Sequence, residues 1–211
     1  MKNINSSYIA KQIFSILNDK IQLKLIIYNK QLQKNFGINI TNYKIFSGKY
    51  KIIDKNGKGK EFNIFNDELI FEGEYKNKKK NGKGKEYDDK GNLLFEGEYL
   101  NGKRNGIGIE YYTNGRIKFK GEYLNDIRHG KGKEYYYLGD LFFEGEYLFG
   151  EKNRKGKEYN PNGTLAFIGE YKNGEKNGKG REYDKNGNFL YEGEYINGKK
   201  NSLFFELCSI F

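Results

Sequence analysis

One short core recurs with a spacing that never slips. Aromatic-x-Gly-Glu-Tyr occurs at Phe71 to Tyr75, Phe95 to Tyr99, Phe119 to Tyr123, Phe143 to Tyr147, Phe167 to Tyr171 and Tyr191 to Tyr195, each copy starting 24 residues after the last. A worn seventh copy, Phe46-Ser47-Gly48-Lys49-Tyr50, lies 25 residues ahead of the first, and its extra residue falls within Asn63 to Ile70, which marks that stretch as a loop. Between these cores stands a second one, Gly-x-Gly-x-Glu-aromatic, at Gly57 to Phe62, Gly82 to Tyr87, Gly106 to Tyr111, Gly130 to Tyr135 and Gly178 to Tyr183; the copy at Arg154 to Tyr159 loses its first glycine. A chain written in phase like this builds one supersecondary unit repeatedly and buries it against its own neighbours.

The unit reads as a β-hairpin. Glu86 to Phe95 is a short aromatic run, a polar stretch with Gly91, and a second apolar run, the pattern of two strands about a turn. Asn114-Gly115, Asn162-Gly163 and Asn186-Gly187 supply the positive φ that such turns need. Along Leu94 to Leu100, strand alternation puts Phe95, Gly97 and Tyr99 on one face and Glu96 and Glu98 on the other. Glycine weakens a strand unless something covers it. The row Gly73, Gly97, Gly121, Gly145, Gly169 and Gly193 is therefore read as structural, each glycine bare so that a ring from the neighbouring strand can lie across it.

The motif Tyr-x-Gly-Glu-Tyr-x-Asn-Gly-Lys-x-Asn-Gly-x-Gly-x-Glu-Tyr resembles the MORN repeat family over roughly Phe46 to Asn201. The resemblance implies two-stranded hairpins of about 23 residues that stack on their copies; here tyrosine stands where the family often has tryptophan, and the period is one residue longer. The repeats are also similar to bacterial Gly-Lys-x-Glu-Tyr repeat proteins, some described as antitoxins. The fold expected is mainly β: an elongated single-layer antiparallel sheet of about fourteen strands, roughly 60 Å long at about 4.8 Å per strand. An α-helical hairpin cap is expected before it.

Three segments follow: residues 1–45, 46–200 and 201–211. In the first, Ser6 and Ser7 can cap a helix with Ile9, Ile13, Ile16 and Leu17 on one face, and Asp19 a second helix with Leu25, Tyr28, Leu32 and Phe36, ending at Gly37. Gln12 to Gln33 is similar to the middle of an F-box, with Ile13, Phe14, Leu17, Leu23 and Leu25 at matching positions but without the leading Leu-Pro. That similarity implies a Skp1-type partner and a ubiquitin-ligase adaptor; the alternative is a cap over the first hairpin. In the last segment both repeat glycines give way to apolar residues at Asn201 to Leu207, the mark of a closing strand. No apolar run approaches the length that spans a bilayer, so a cytoplasmic protein, membrane-associated at most, is expected.

The formal net charge is +10, but residues 1–45 carry seven lysines against Asp19, so the repeats are nearly balanced. Interleaved lysine and glutamate reads as a solvated sheet face with cross-strand pairs rather than a nucleic-acid stripe, and no nucleic acid is expected as a partner. High Lys, Asn, Ile and Tyr usage is also what an AT-rich genome produces.

No catalytic group, cofactor or metal site is expected. His129 is the sole histidine and replaces the asparagine of Asn105 and Asn177, so it is read as a turn variant; Cys208 is the sole cysteine and sits in the apolar tail. One Cys and one His do not make a metal site. Paired glutamates such as Glu72 and Glu74 recur in every copy, which an active site has no need to do, and Gly-x-Gly precedes a strand rather than opening a helix. What is left is binding. The candidate residues are the evenly spaced Tyr75, Tyr99, Tyr123, Tyr147, Tyr171 and Tyr195, either as the core of the array or beside a groove lined by the other aromatics. A non-enzymatic protein-interaction scaffold is the leading expectation, with protein partners. A second is a peripheral module for acidic phospholipid, prompted by Lys78-Lys79-Lys80 and Lys103-Arg104.

Overall fold

The computed structural model describes residues 49–63 and 66–201. The two expected N-terminal helices, the F-box-like stretch, Phe46 to Gly48 and the closing strand after Asn201 lie outside the described residues. The described chain is a run of β-strands: β1 (Lys49–Ile53), β2 (Lys58–Asn63), β3 (Leu69–Lys76), β4 (Lys79–Tyr87), β5 (Leu93–Leu100), β6 (Lys103–Tyr111), β7 (Ile117–Leu124), β8 (Ile127–Tyr135), β9 (Leu141–Leu148), β10 (Glu151–Tyr159), β11 (Leu165–Lys172), β12 (Glu175–Tyr183), β13 (Phe189–Ile196) and β14 (Lys199–Lys200). They form one 14-stranded sheet in sequence order, antiparallel at every step, as the hairpin periodicity demands. The one-residue insertion falls in the β2–β3 connection, where Asn63 N–H donates to the Glu68 carbonyl at 2.8 Å.

Two kinds of turn alternate along the array. At one end of the strands are three-residue loops: Gly115 N–H donates to the Tyr112 carbonyl at 2.9 Å, and Gly115, Gly163 and Gly187 adopt φ of 79°, 83° and 86°. At the other end are two-residue turns such as Asn101-Gly102, with both φ positive, 53° and 94°. Both residues need φ > 0 in the hairpin turn whose twist matches the strands, which is why Asn-Gly fills it. The repeat at β9–β10 departs from the rule: Phe149 takes the asparagine's place at φ 52°.

The sequence reading needs correction at the dipeptides Asn105-Gly106, His129-Gly130 and Asn177-Gly178, which are not turns. They lie inside β6, β8 and β12 where the strand register shifts, and the glycines hold φ of 102°, 64° and 106° as bulge residues. His129 is thus a strand residue at a bulge. Arg154 takes the place of these bulge glycines in β10, at φ 57°.

Among the described residues the sheet has no second layer to bury a face against, and one face is covered by its own rings. Phe71, Phe95, Phe119, Phe143 and Phe167 are 0% exposed. Each ring stands edge-on to two tyrosines, as Phe95 does to Tyr99 of its own strand at 5.8 Å and to Tyr123 of the next repeat at 5.2 Å, the packing that the ring quadrupole favours. Phe95 lies over the glycine pair Gly97–Gly108. The covering ring belongs to the strand of Gly97 itself, two residues back, and crosses to the neighbour's Gly108; the expectation that it comes from the neighbouring strand is corrected accordingly. A cation closes the top of each ring: Lys80, Arg104, Arg128 and Lys176 sit 4.1 Å from the centroids of Phe71, Phe95, Phe119 and Phe167. These cations are therefore not part of a solvated face. They are tied to a row of glutamates, Lys80 to Glu86 at 3.0 Å, Arg128 to Glu110 at 2.8 Å and to Glu134 at 2.6 Å, Lys176 to Glu182 at 3.2 Å, and Arg104 to Glu86.

Candidate binding groove

The six tyrosines singled out by spacing belong to the aromatic ladder. Tyr75, Tyr99, Tyr123, Tyr147, Tyr171 and Tyr195 are between 2% and 8% exposed, so none of them forms a binding surface. Their hydroxyls point toward the glutamate row. Tyr123 donates to Glu110 Oε1 at 2.6 Å, whereas the buried hydroxyls of Tyr99, Tyr147 and Tyr171 lie beside Glu86, Glu134 and Glu158 without a well-formed hydrogen bond. Burial first, and the nearby carboxylates second, push these phenols well above their ordinary range.

The open surface is the opposite face, and glycine shapes it too. Register pairs Gly59 with Gly73, Gly73 with Gly84, Gly84 with Gly97, and so on through Gly108, Gly121, Gly132, Gly145, Gly156, Gly169 and Gly180 to Gly193. The structural glycines Gly73, Gly97, Gly121, Gly145, Gly169 and Gly193 are thus one half of a continuous row that runs across the strands. On the face away from the rings this row is the floor of a trough, and the side chains on either side of each glycine are its rims. The trough comprises two grooves of about 840 and 920 Å³ that share Ile107. The lining is glycine backbone, lysine, glutamate and isoleucine, with Phe62 at one end. Apart from Phe62, the other aromatics do not line this trough.

The rims are fastened in a regular way. On one rim the glutamates after Gly97, Gly121 and Gly169 turn to a bulge: Glu98 accepts the Ile107 N–H at 3.0 Å, Glu122 that of Lys131 at 3.0 Å and Glu170 that of Lys179 at 3.3 Å. On the other rim, cross-strand pairs join Lys85 to Glu96 at 3.7 Å and Lys133 to Glu144 at 3.1 Å. Tyr87, Tyr111 and Tyr159 donate to Glu72, Glu96 and Glu144 at 2.7, 2.6 and 2.7 Å. Desolvation, and then the carboxylate each one faces, push these phenols up to about 12.

The two halves of the trough differ in charge. Around β2 to β6 Asp54, Glu72, Glu74, Glu96 and Glu98 face Lys58, Lys60, Lys83 and Lys85. Around β7 to β12 Lys120, Lys131, Lys133, Lys155, Lys157 and Lys179 outnumber Glu122, Glu144, Glu146 and Glu170. Such a surface offers aliphatic stems, bare peptide and fixed charges to an elongated ligand. Among the described residues no group of three or more His, Cys, Asp and Glu is arranged to hold a metal ion. Reasoning from the sequence missed the groove because it followed the rings; the signal that finds it is the phase between the two glycine cores, which sets glycine opposite glycine on every strand.

Stacked hairpins in one open layer, each finishing the aromatic core of the one before, define a β-hairpin repeat protein. The MORN repeat model matches residues 71–93, 95–115, 119–140, 167–189 and 191–202, and a MORN repeat variant matches residues 155–173. The chain belongs to the MORN repeat family. The stretch between the third and fourth of these matches, before the variant begins, holds both Phe149 and Arg154. A search of curated proteins finds none that matches. Among solved structures the chain is similar to the crystal structure of TarM, at 13% identity and a TM-score of 0.26, covering 71% of this chain and 27% of that one. It is also similar to a point mutant of S. aureus TarM in complex with fondaparinux, alpha-GlcNAc-glycerol and UDP, at 12% identity and a TM-score of 0.25, covering 100% of this chain and 35% of that one.

Proposed function

We propose that the protein is a non-catalytic interaction scaffold whose binding surface is the glycine-floored trough. The observation that carries this reading is the continuity of the floor from Gly59 to Gly193, which gives an elongated partner one surface many strands long. The aromatic face is closed by its own cations, whereas the trough is a broad surface with concave shape. Several rim glutamates are held by hydrogen bonds and ion pairs before any partner arrives, so their side chains lose little freedom on binding.

The test is to block the groove without disturbing the rings. Lys155 is exposed and its backbone lies beside floor glycine Gly156. A Lys155→Cys chain with Cys208→Ser, alkylated with a bulky maleimide, is compared with the unalkylated chain in affinity capture from the source cell, read by mass spectrometry and by cross-links to trough residues. A protein captured and cross-linked by the open chain and lost from the blocked one supports the scaffold reading. Capture that ignores the block, or no captured protein at all, overturns it.

A further inference from the structure

We infer that the half of the trough between β7 and β12 takes an extended acidic segment of a partner protein. The inference rests on the reading of the trough as a protein-binding surface and names the chemistry of the partner.

Lys120, Lys131, Lys155 and Lys179 line this half and are exposed, and none of them has an ion pair among the described residues. Most of the neighbouring acids hold other partners, and Glu194 stands opposite Lys179 at the far end of the row. Glu122 and Glu170 accept the bulge amides of Lys131 and Lys179. Glu146 pairs with Arg154 at 3.2 Å, and Glu144 is shared by Lys133 at 3.1 Å and Lys157 at 3.4 Å. Lys120 stands where most other copies have glutamate, and register sets it directly opposite Lys133. Like charges directly opposite each other cost stability, and an anion between them removes that cost. The excess of positive charge in this half is therefore set by its lining residues, with Lys120 in place of a glutamate adding to it.

Spacing narrows the ligand. Lys131, Lys155 and Lys179 occupy β8, β10 and β12 on the same rim, so they recur at about 9.6 Å, twice the separation of neighbouring strands. A polyproline-type chain repeats every three residues at about 9.3 Å. An extended peptide with a carboxylate at every third position therefore matches the row. A nucleic acid fits less well, because Glu122, Glu144, Glu146 and Glu170 remain on the rims and would face its unbroken line of phosphates.

The probe is a fluorescein-labelled peptide of four Glu-Pro-Pro triplets, titrated with the full chain and read by anisotropy. Saturable binding that weakens as salt is added is expected. Lys131→Glu combined with Lys155→Glu should weaken it by about tenfold, which corresponds to about 1.4 kcal/mol. The pair Lys58→Glu and Lys83→Glu in the other half should change it by less than about twofold. Lys120→Glu, which restores the common residue of the repeat, should weaken binding and leave the melting temperature equal or higher, so that loss of binding is not loss of fold. Equal effects from both halves, tighter binding of oligothymidylate or of phosphatidylserine vesicles than of the peptide, or no peptide binding, each overturn the inference. If block-sensitive capture of a protein persists in those cases, the scaffold reading stands without it.

Discussion

A Cβ added at Gly97 would lie 2.7 Å from the Gly108 Cα, 2.7 Å from Phe95 Cζ and 2.8 Å from the Ile107 carbonyl oxygen. Two of these neighbours are backbone and cannot swing aside. Valine is the better strand residue by propensity, yet Gly97→Val should lower stability by about 1–3 kcal/mol or more, the range of overpacking, in a thermal or urea melt. A neutral or stabilising result would mean that the ring does not occupy that space. Gly91 is a different case: nothing lies within 4 Å of its added Cβ, and its φ is +79°. Gly91→Ala should cost about 1 kcal/mol, from the left-handed backbone alone. The same backbone argument reverses sign at Phe149 and Arg154. Both hold positive φ where the other repeats have asparagine or glycine, and Phe149 is 75% exposed, so its ring gains little burial. Phe149→Asn and Arg154→Gly should each raise stability by about 0.5–1 kcal/mol. The Arg154–Glu146 pair lost in the second is exposed and contributes little. A melt in which both variants fall below the parent would contradict this.

At the scale of the strand pair, titration separates the two kinds of buried group. Burial tends to raise the Glu86 carboxyl, but Arg104 and Lys80 outweigh it and leave it below its ordinary value. Burial likewise opposes the shift at Glu110, where Arg128 and the Tyr123 hydroxyl prevail. A depressed folded value means that the stability from these carboxylates is present above the unfolded value of about 4.3 and is lost as pH falls through the folded one. The tyrosines act at the other end. Tyr99, Tyr123, Tyr147 and Tyr171 are raised by desolvation before all else, so their contribution is complete below pH about 10. It is then lost as the unfolded chain ionises and the folded one does not, at about 1.4 kcal/mol per phenol for each pH unit. Unfolding between about pH 10 and 12 should therefore be abrupt, and tyrosinate absorbance should rise together with the loss of β circular dichroism. Replacing Tyr123 and Tyr147 with Phe should move the transition upward; gradual ionisation without unfolding would show that the ladder is solvent-accessible. Hairpins, strand number and alternation were legible in the sequence because period two and period 24 reinforce each other. The split between turns and bulges was not. Asn101-Gly102 and Asn105-Gly106 are the same dipeptide four residues apart, one a turn and the other a bulge, and only the pairing of β5 with β6 decides which is which. The trough was hidden for the same reason, since it exists only once Gly97 is known to face both Gly84 and Gly108.

For the molecule as a whole, each strand pairs with the strands before and after it. Stability should then add up over neighbours. Deleting Phe95 to Lys118 removes one period and brings Phe119 to the place of Phe95, so a shorter array with the same ladder, ion pairs and trough should fold. Deleting Phe95 to Gly106 removes half a period and sets unlike strands together. Circular dichroism and thermal melts should show the first variant folded with a modest loss and the second largely unfolded; equal behaviour would refute the modular architecture. The aromatic ladder also gives the chain a direction in time. Phe95 is closed over by groups that follow it, Gly108, Arg104 and finally Tyr123. As the chain leaves the ribosome, each repeat must therefore wait, one ring uncovered, for its successor to be synthesised. An elongation pause within the array would leave a single sticky aromatic step at the growing end, with the completed steps behind it already sealed.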